Sequence, residues 1–194
     1  NGNKIELDDI DPFTFTSFIN KYKDIEKRKE YLKKIKQELN IQSNLPDDFD
    51  GVPVTFAARV WMFNYKKNRK DSDIPNLWEL YKQVVSFTLD KKLFQEVINI
   101  HGVGKARLTQ GMFLADPDNF FPIDSQTIPY LEKRNIRSNF NTLEEYQEIV
   151  NKIKSNIKKP LYEISHEAWI ENTGSPTKRQ DTGVRYWLYA PGRE

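Results

Sequence analysis

The chain of 194 residues contains no cysteine and only two histidines. Without thiols it can form neither disulfides nor thiolate metal sites, and His101 and His166 are too few for a histidine-rich metal site. Neither histidine has a nearby partner that would indicate a catalytic triad. No apolar run reaches membrane-spanning length, and the first residues lack the apolar core of a signal peptide. We therefore expect a cytoplasmic protein that makes no membrane contact and holds no metal or other cofactor in this part of the chain.

The excess of positive charge is also small, because the formal net charge is only +2. Any surface that binds nucleic acid must then be a local patch rather than a property of the whole molecule. The phosphate-loop pattern GxxxxGK[ST] is absent, so nucleotide hydrolysis is not expected of these residues. Hydrophobic residues make up 38% and charged residues 30%, which is ordinary for a soluble globular domain. The length suits one sizeable domain with an appendage.

The most informative stretch is VINIHGVGKARLTQGMFLADPDNFFPIDSQTIPYL, residues 97–131. Apolar residues recur at helical spacing on both sides of a glycine turn, which predicts two short helices joined at Gly102-Val103-Gly104. They are Leu93, Phe94, Val97 and Ile98 before the turn, and Leu108, Met112 and Ala115 after it. The pattern predicts a helix-hairpin-helix.

Two interpretations of this turn remain open. Gly102 and Gly104 permit positive φ and carry no Cβ, so the backbone of the turn can approach a phosphate. Free N–H groups at the start of the second helix, together with Lys105 and Arg107, would then bind the anion. The alternative is that Gly102-Val103-Gly104 is only a tight connector between helices.

Aromatic and basic residues meet again between residues 52 and 70. Trp61 and Phe63 belong to the most apolar segment of the chain, and Lys66 and Lys67 follow at once. Aromatic faces beside lysines can stack an unpaired base and hold its backbone, although core packing is the commoner role of such rings. Acidic residues at 47, 48 and 50 fail the spacing of a calcium loop and favour a turn.

The remaining patterns predict a mainly α-helical fold. Aspartates at 11, 24, 73 and 90 stand where helices should begin, and Thr142 with Glu145 forms a capping box. The helix after Asp24 has an outer face rich in lysine, but interleaved glutamates favour a solvated surface over a DNA-binding one. We expect a helical domain over residues 1–171, a linker over 172–183, and over 184–194 the first strand of a following domain.

The run HGVGKARLTQGMFLADPDNFFPIDSQTIPYL resembles the core of the helix-hairpin-helix DNA glycosylases. Their signature places Pro-x-Asp-Ser/Thr after the hairpin and its helix, and Pro122, Asp124 and Ser125 hold those places. The resemblance implies that Asp124 is the catalytic carboxylate. Bifunctional members carry a lysine where this chain has Ala106, so amine-based lyase chemistry is not implied. Asp124 also suits a helix N-cap that accepts from the N–H of Gln126 or Thr127, and both roles can hold together.

The chain as a whole resembles the N-terminal region of McrB-type proteins, the motor subunits of modification-dependent restriction systems. The stretches that carry this resemblance are DPFTFTSFINK, LPDDFDGVPV, DIPNLWELY, the glycine-turn core and YWLYAPGRE. In that family a variable recognition module precedes an AAA-type GTPase, and YWLYAPGRE resembles the opening strand of a PUA-like EVE domain. The resemblance implies a defence protein that recognises DNA, modified or unmodified, and works with other subunits or domains of a restriction complex.

Two other functional classes stay open beside this non-catalytic recognition module. A monofunctional glycosylase would use Asp124 to stabilise positive charge at a flipped nucleotide, and Trp61, Phe63 or Phe120 would line the base pocket. Residues 52–65 show no counterpart of the glutamine-containing helix of true glycosylases. The other class is a protein-interaction domain that does not contact DNA.

Overall fold

The computed structural model describes residues 9–49, 52, 54–55, 61–63 and 65–174, and this part of the chain is mainly α-helical. Its helices are α1 (Pro12–Ile19), α2 (Ile25–Glu38), α3 (Asp73–Ser86), α4 (Lys91–Ile98), α5 (Gly104–Ala115), α6 (Ile128–Glu132), α7 (Leu143–Asn156) and α8 (Leu161–Thr173), with a 3-10 helix at Lys66–Asn68. The predicted mainly α fold is confirmed over these ranges, which contain no strand. The predicted strand at 184–194 lies outside the described residues.

Side-chain caps fix where several helices begin. Asp11, Asp24 and Asp90 each accept a hydrogen bond from the backbone N–H three residues later, at 2.9, 3.1 and 2.8 Å. Thr142 caps α7 in the same way through the N–H of Glu145. Each cap satisfies an N–H that the helix itself leaves without a partner. The helix starts predicted at these four residues are confirmed.

Helix α5 lies at the centre of the first half of the domain, where it packs against α1, α3 and α4. Leu108, Met112 and Phe113 on α5 are almost fully buried. The approach of α1 to α5 is close at Gly111, where a Cβ would lie 2.5 Å from Cε of Met62 and 3.0 Å from Cδ1 of Phe13. The backbone of Gly111 is helical, so its φ would suit any residue. Glycine is needed here because there is no space for a side chain.

The second half of the domain is joined to α4 and α5 through α7. Helix α7 packs against α4, and α6 packs against α8. Tyr146 on α7 is buried, and its hydroxyl accepts from the N–H of Phe121 at 3.0 Å and donates to the carbonyl of Phe121 at 2.9 Å. Burial raises the pKa of the Tyr146 hydroxyl well above its usual range, so it stays protonated and can donate. Tyr146 thereby holds the loop that follows α5.

The last helix extends beyond the predicted domain boundary. The sequence predicts a linker from residue 172, but α8 continues to Thr173. It ends at Gly174, whose φ of +66° suits glycine. Asn172 is held in the helix because its Nδ2 donates to Oε1 of Gln126 at 2.7 Å. Residues 175–183 of the predicted linker lie outside the described residues. Every helix among the described residues is too short or too polar to span a bilayer.

The buried cap at Asp11 gives the stability of the fold a pH dependence. Asp11 is fully buried, and this burial raises the pKa of its carboxyl, while hydrogen bonds from Thr14 oppose the shift. The folded state therefore retains a proton at pH values where the unfolded chain has lost it. Because the folded state binds more protons, the contribution of Asp11 to stability falls as pH rises from its ordinary pKa of 3.8 through the raised value.

We expect Asp11→Asn to remove this contribution, because asparagine keeps an acceptor for the N–H of Thr14 but does not ionise. The free energy of unfolding of the variant, measured by urea denaturation from roughly pH 4 to 7, should fall less with rising pH than that of the parent. Asp24→Asn, at an exposed cap of the same geometry, is the matched control. Identical pH profiles for the parent and Asp11→Asn would contradict the prediction.

Candidate functional site

The turn between α4 and α5 presents its backbone to solvent. Gly102 has a φ of +93° and Gly104 a φ of +62°, backbone angles that residues with a Cβ rarely adopt. Both glycines are exposed, whereas Val103 between them is only 3% exposed and fixes the turn to the core. A Cβ at Gly104 would meet no atom within 4 Å, so the space above this residue is open. An external group can therefore approach the backbone here.

The first turn of α5 also has free backbone donors. The N-cap residue, Val103, has no side chain able to accept a hydrogen bond. Among the described residues, no hydrogen bond uses the N–H groups of Gly104, Lys105 or Ala106. These groups carry the positive end of the helix dipole, which favours an anion.

Lys105 is held at one side of this turn by residues of the loop between α6 and α7. Its Nζ donates to Oδ1 of Asn139 at 2.8 Å and to Oδ1 of Asn141 at 3.1 Å, and it lies 5.3 Å from the centroid of the Phe140 ring. These partners are neutral, and within the described ranges Lys105 forms no ion pair with a carboxylate. Its positive charge is fixed in position without being neutralised.

Arg107 lies on the other side of the turn and has a structural role. Its Nη1 donates to the carbonyl of Gly102 at 2.6 Å and to the carbonyl of Trp61 at 2.8 Å. The guanidinium therefore braces the turn against the segment around residue 61. Phosphate contact by Arg107 stays a prediction, and removing its side chain would also loosen this brace.

The predicted base-pocket residues differ in their exposure. Phe63 is 6% and Phe120 is 2% exposed, and the ring of Phe120 packs against that of Phe87 with centroids 5.9 Å apart. Trp61 is only partly buried, and it stacks on Phe63 at 5.1 Å. Of the three rings, Trp61 has the most surface free to meet a base. A base pocket in this region stays a prediction.

Lys66 and Lys67 form most of the 3-10 helix that follows this aromatic segment. Both side chains are exposed. They stand a few residues after Trp61, whose carbonyl is bonded to Arg107 beside the glycine turn. DNA contact by this basic pair stays a prediction.

Asp124 caps the turn that precedes α6, whereas the helix itself begins after Thr127, which makes no side-chain cap bond. Oδ1 of Asp124 accepts from the N–H groups of Gln126 at 2.9 Å and Thr127 at 3.1 Å. The hydroxyl of Thr127 donates to the carbonyl of Pro122 at 2.6 Å, which closes the turn ahead of α6. Asp124 is half-buried, and no hydrogen bond of the described chain uses its Oδ2. One carboxylate oxygen is therefore occupied by the cap, and the other is not.

Thr109 brings Asp124 to the same side of α5 as Lys105. Its Oγ1 accepts from the N–H of Ile123 at 3.0 Å and donates to the carbonyl of Lys105 at 2.9 Å. Lys105 and Thr109 are four residues apart, so they lie above one another with a rise of about 6 Å. Arg107 is rotated by roughly 200° around the helix axis relative to Lys105. Thr109 thus links the backbone of Lys105 to the loop that leads to Asp124, while Arg107 contacts Trp61 from the opposite side of α5.

Sequence reasoning missed the residues that position this site. Asn139 and Asn141 contact Lys105 across more than 30 positions, and Thr109 and Tyr146 support the Asp124 loop from two helices. No local pattern in the sequence marks such long-range partners. Among the described residues, no group of three or more acidic or histidine side chains could hold a metal ion.

The fold and this turn define the chain as a mainly α-helical domain with an exposed, positively charged glycine turn. The chain belongs to the family described as a domain of unknown function (DUF8425), whose model matches residues 1–171. No curated protein and no solved structure matches the chain.

Proposed function

We propose that this chain is a DNA-recognition module of a modification-dependent restriction system similar to the McrB-type proteins. In this proposal α4 and α5 form a helix-hairpin-helix that contacts the phosphate backbone of DNA, and the module has no catalytic activity of its own. Its partners would be DNA, modified or unmodified, and other subunits or domains of a cytoplasmic restriction complex. It requires no cofactor in these residues.

The observation that carries the proposal is the open turn at the start of α5. Gly102 and Gly104 expose their backbone, three N–H groups lack partners among the described residues, and Lys105 adds a fixed positive charge. Backbone N–H groups and lysine are the donors that proteins commonly direct at phosphate oxygens. Such contacts set the position of the protein on DNA but do not read its sequence. Recognition of a base must then come from other residues, of which Trp61 is the best placed.

Lys105→Ala should flatten the salt dependence of DNA binding. Each phosphate contact that is lost reduces the slope of log affinity against log salt by about 0.9 on duplex DNA. The measurement is fluorescence anisotropy with labelled duplexes over a range of salt concentrations. Lys92→Ala is the matched control, because Lys92 is an exposed lysine on the neighbouring helix α4.

Panels of duplexes with and without modified cytosine and adenine extend the same experiment to recognition. A recognition module should bind one modified duplex more tightly than its unmodified counterpart. Lys105→Ala should weaken the affinity for every duplex by the same factor, so this preference should be unchanged. If affinity is insensitive to salt and Lys105→Ala behaves as Lys92→Ala does, the protein-interaction alternative is favoured.

The free Oδ2 of Asp124 supports a second candidate, the monofunctional glycosylase. A glycosylase needs a carboxylate open to the nucleotide sugar, since it must stabilise positive charge as the base departs. The cap alone needs only Oδ1. With Ala106 at the position of the lyase lysine, and both N–H contacts already made by Oδ1, we retain the cap as the role of Asp124.

We expect Asp124→Ala to lower the free energy of unfolding by about 1 kcal/mol, because the N–H groups of Gln126 and Thr127 lose their acceptor. Asp124→Asn keeps an acceptor oxygen and should fold and bind DNA nearly as well as the parent. Denaturation and anisotropy measure the two effects. Release of bases, detected as abasic sites, by the parent but not by Asp124→Asn would establish catalysis instead.

A further inference from the structure

A cluster of lysines and tyrosines covers the end of α1 and one face of α2. We call it the Lys–Tyr cluster, and its members are Lys21, Tyr22, Lys27, Tyr31 and Lys34. The two tyrosine rings lie 5.3 Å apart with their hydroxyl oxygens 3.3 Å apart. Nζ of Lys21 lies 4.9 Å from the centroid of Tyr22 and 5.6 Å from that of Tyr31. Ammonium and hydroxyl donors therefore converge on one patch of surface.

Two of the three lysines in the cluster form no ion pair with a carboxylate, although the charge of Lys27 contributes, after that of Lys34, to lowering the pKa of Glu30. Within the described ranges neither Lys21 nor Lys27 forms an ion pair, and Nζ of Lys27 lies 5.8 Å from the ring of Tyr22. Lys34 pairs with Glu30 at 2.8 Å. The carboxylate of Asp24 accepts from the backbone N–H of Lys27 as the helix cap. The cluster retains a net positive charge after these partners are counted.

The sequence predicts that the lysine-rich face of α2 is only a solvated surface. In the structure, three residues of α2 are set apart from the other lysines of this face. Lys27, Tyr31 and Lys34 follow one another at spacings of four and three, so they form a single stripe along the helix. Lys21 joins this stripe from outside the helix. The ion pair between Glu26 and Lys29 is separate from it. Glu30 also lies beside this stripe and pairs with Lys34, but the remaining ammonium and hydroxyl groups are donors of the kind that bind phosphate oxygens.

The cluster is connected to the glycine turn by a chain of contacts. Nζ of Lys21 lies 5.3 Å from the ring of Phe18, and that ring meets Trp61 edge to face at 5.9 Å. The carbonyl of Trp61 accepts from Arg107, which also holds the carbonyl of Gly102. The two positively charged regions thus belong to one continuous part of the molecule.

We propose that the Lys–Tyr cluster is a second contact for the phosphate backbone of DNA, so that a bound duplex extends from the glycine turn past α1 to α2. The inference rests on the proposed function and adds to it the path of the DNA over the protein. The turn supplies backbone donors and Lys105, whereas the cluster supplies lysine and tyrosine side chains. Both contacts are made to phosphates, so the cluster adds affinity but no preference for sequence.

Lys27→Glu tests the inference with Lys33→Glu as its matched control. Both lysines are exposed on α2, but Lys33 lies off the stripe and contacts neither tyrosine ring among the described contacts. The probe is a labelled, unmodified duplex of about 20 base pairs, roughly 68 Å long at 3.4 Å per step. We expect Lys27→Glu to reduce the salt slope by about 0.9 or more and to weaken binding about tenfold at low salt. Lys33→Glu should change the affinity about twofold or less.

The outcomes separate the inference from the proposed function. If Lys105→Ala flattens the slope while Lys27→Glu behaves as Lys33→Glu does, the cluster is not a contact and the turn still is. If Lys27→Glu weakens binding while Lys105→Ala has no effect, the cluster binds DNA and the proposed role of the turn fails. If the parent protein binds neither this duplex nor its counterparts with modified cytosine or adenine, both proposals fail. Circular dichroism of each variant checks that the helices remain folded.

Discussion

Replacing Tyr146 by phenylalanine is expected to lower the free energy of unfolding by about 2–6 kcal/mol. The phenylalanine ring fits the same space, but the N–H and the carbonyl of Phe121 lose their only hydrogen-bond partner among the described contacts. Both groups are buried with Phe121, so water cannot replace the hydroxyl without a rearrangement of the loop. Leaving a buried donor or acceptor unsatisfied costs about 1–3 kcal/mol each.

Urea denaturation measures this effect, and Tyr65→Phe provides the control because Tyr65 is 71% exposed. The same loop carries Ile123 and leads directly to Asp124, so its amides should exchange faster with solvent in Tyr146→Phe. A variant as stable as the parent would show that the loop is held by its apolar side chains alone.

Gly111→Val is expected to lower the free energy of unfolding by about 1–3 kcal/mol, at the upper end of that range. The new Cβ would overlap Met62 and Phe13, and a branched residue adds two methyl groups in the same space. The end of Met62 can move, but Cβ of Phe13 lies 3.3 Å away and is fixed to the backbone of α1. Relief therefore requires α1 to separate from α5.

Thermal or urea denaturation checks this prediction against Ala106→Val. Ala106 is exposed on the same helix, so its replacement reports helix propensity without overpacking. Equal losses of stability at positions 106 and 111 would show that α1 adjusts without cost. A large loss at 111 alone would identify the α1–α5 contact as a determinant of the fold.

Local features of the structure could be predicted from the sequence because they depend on neighbouring residues. Asp11, Asp24 and Asp90 cap helices through the N–H three positions later, which is a relation within one turn of chain. The bonds from Gln126 and Thr127 to Asp124 are equally local, although they close the turn ahead of α6 rather than cap the helix itself. The apolar spacing likewise predicts where α4 and α5 lie on either side of the glycine turn.

The partners of the charged residues could not be predicted in this way. Lys105 and Arg107 are two residues apart and looked equivalent in the sequence, yet they point to opposite sides of α5 and meet different segments. Phe120 followed the aromatic pattern of a pocket, but tertiary packing buries it against Phe87. These outcomes depend on which helices become neighbours, and no local rule determines that.

The hydrogen bond between Asn172 and Gln126 fixes the last turn of α8 beside the cap made by Asp124. Gly174 follows two residues later, so the chain leaves the helix within roughly 7 Å of Asn172 along its backbone. A ligand group attached at Gly174 would therefore stand toward the Asp124 turn as an intramolecular partner. Its effective concentration there is set by the length of the tether and reaches the millimolar range for a short one. A contact with a dissociation constant below the millimolar range would then be occupied for most of the time.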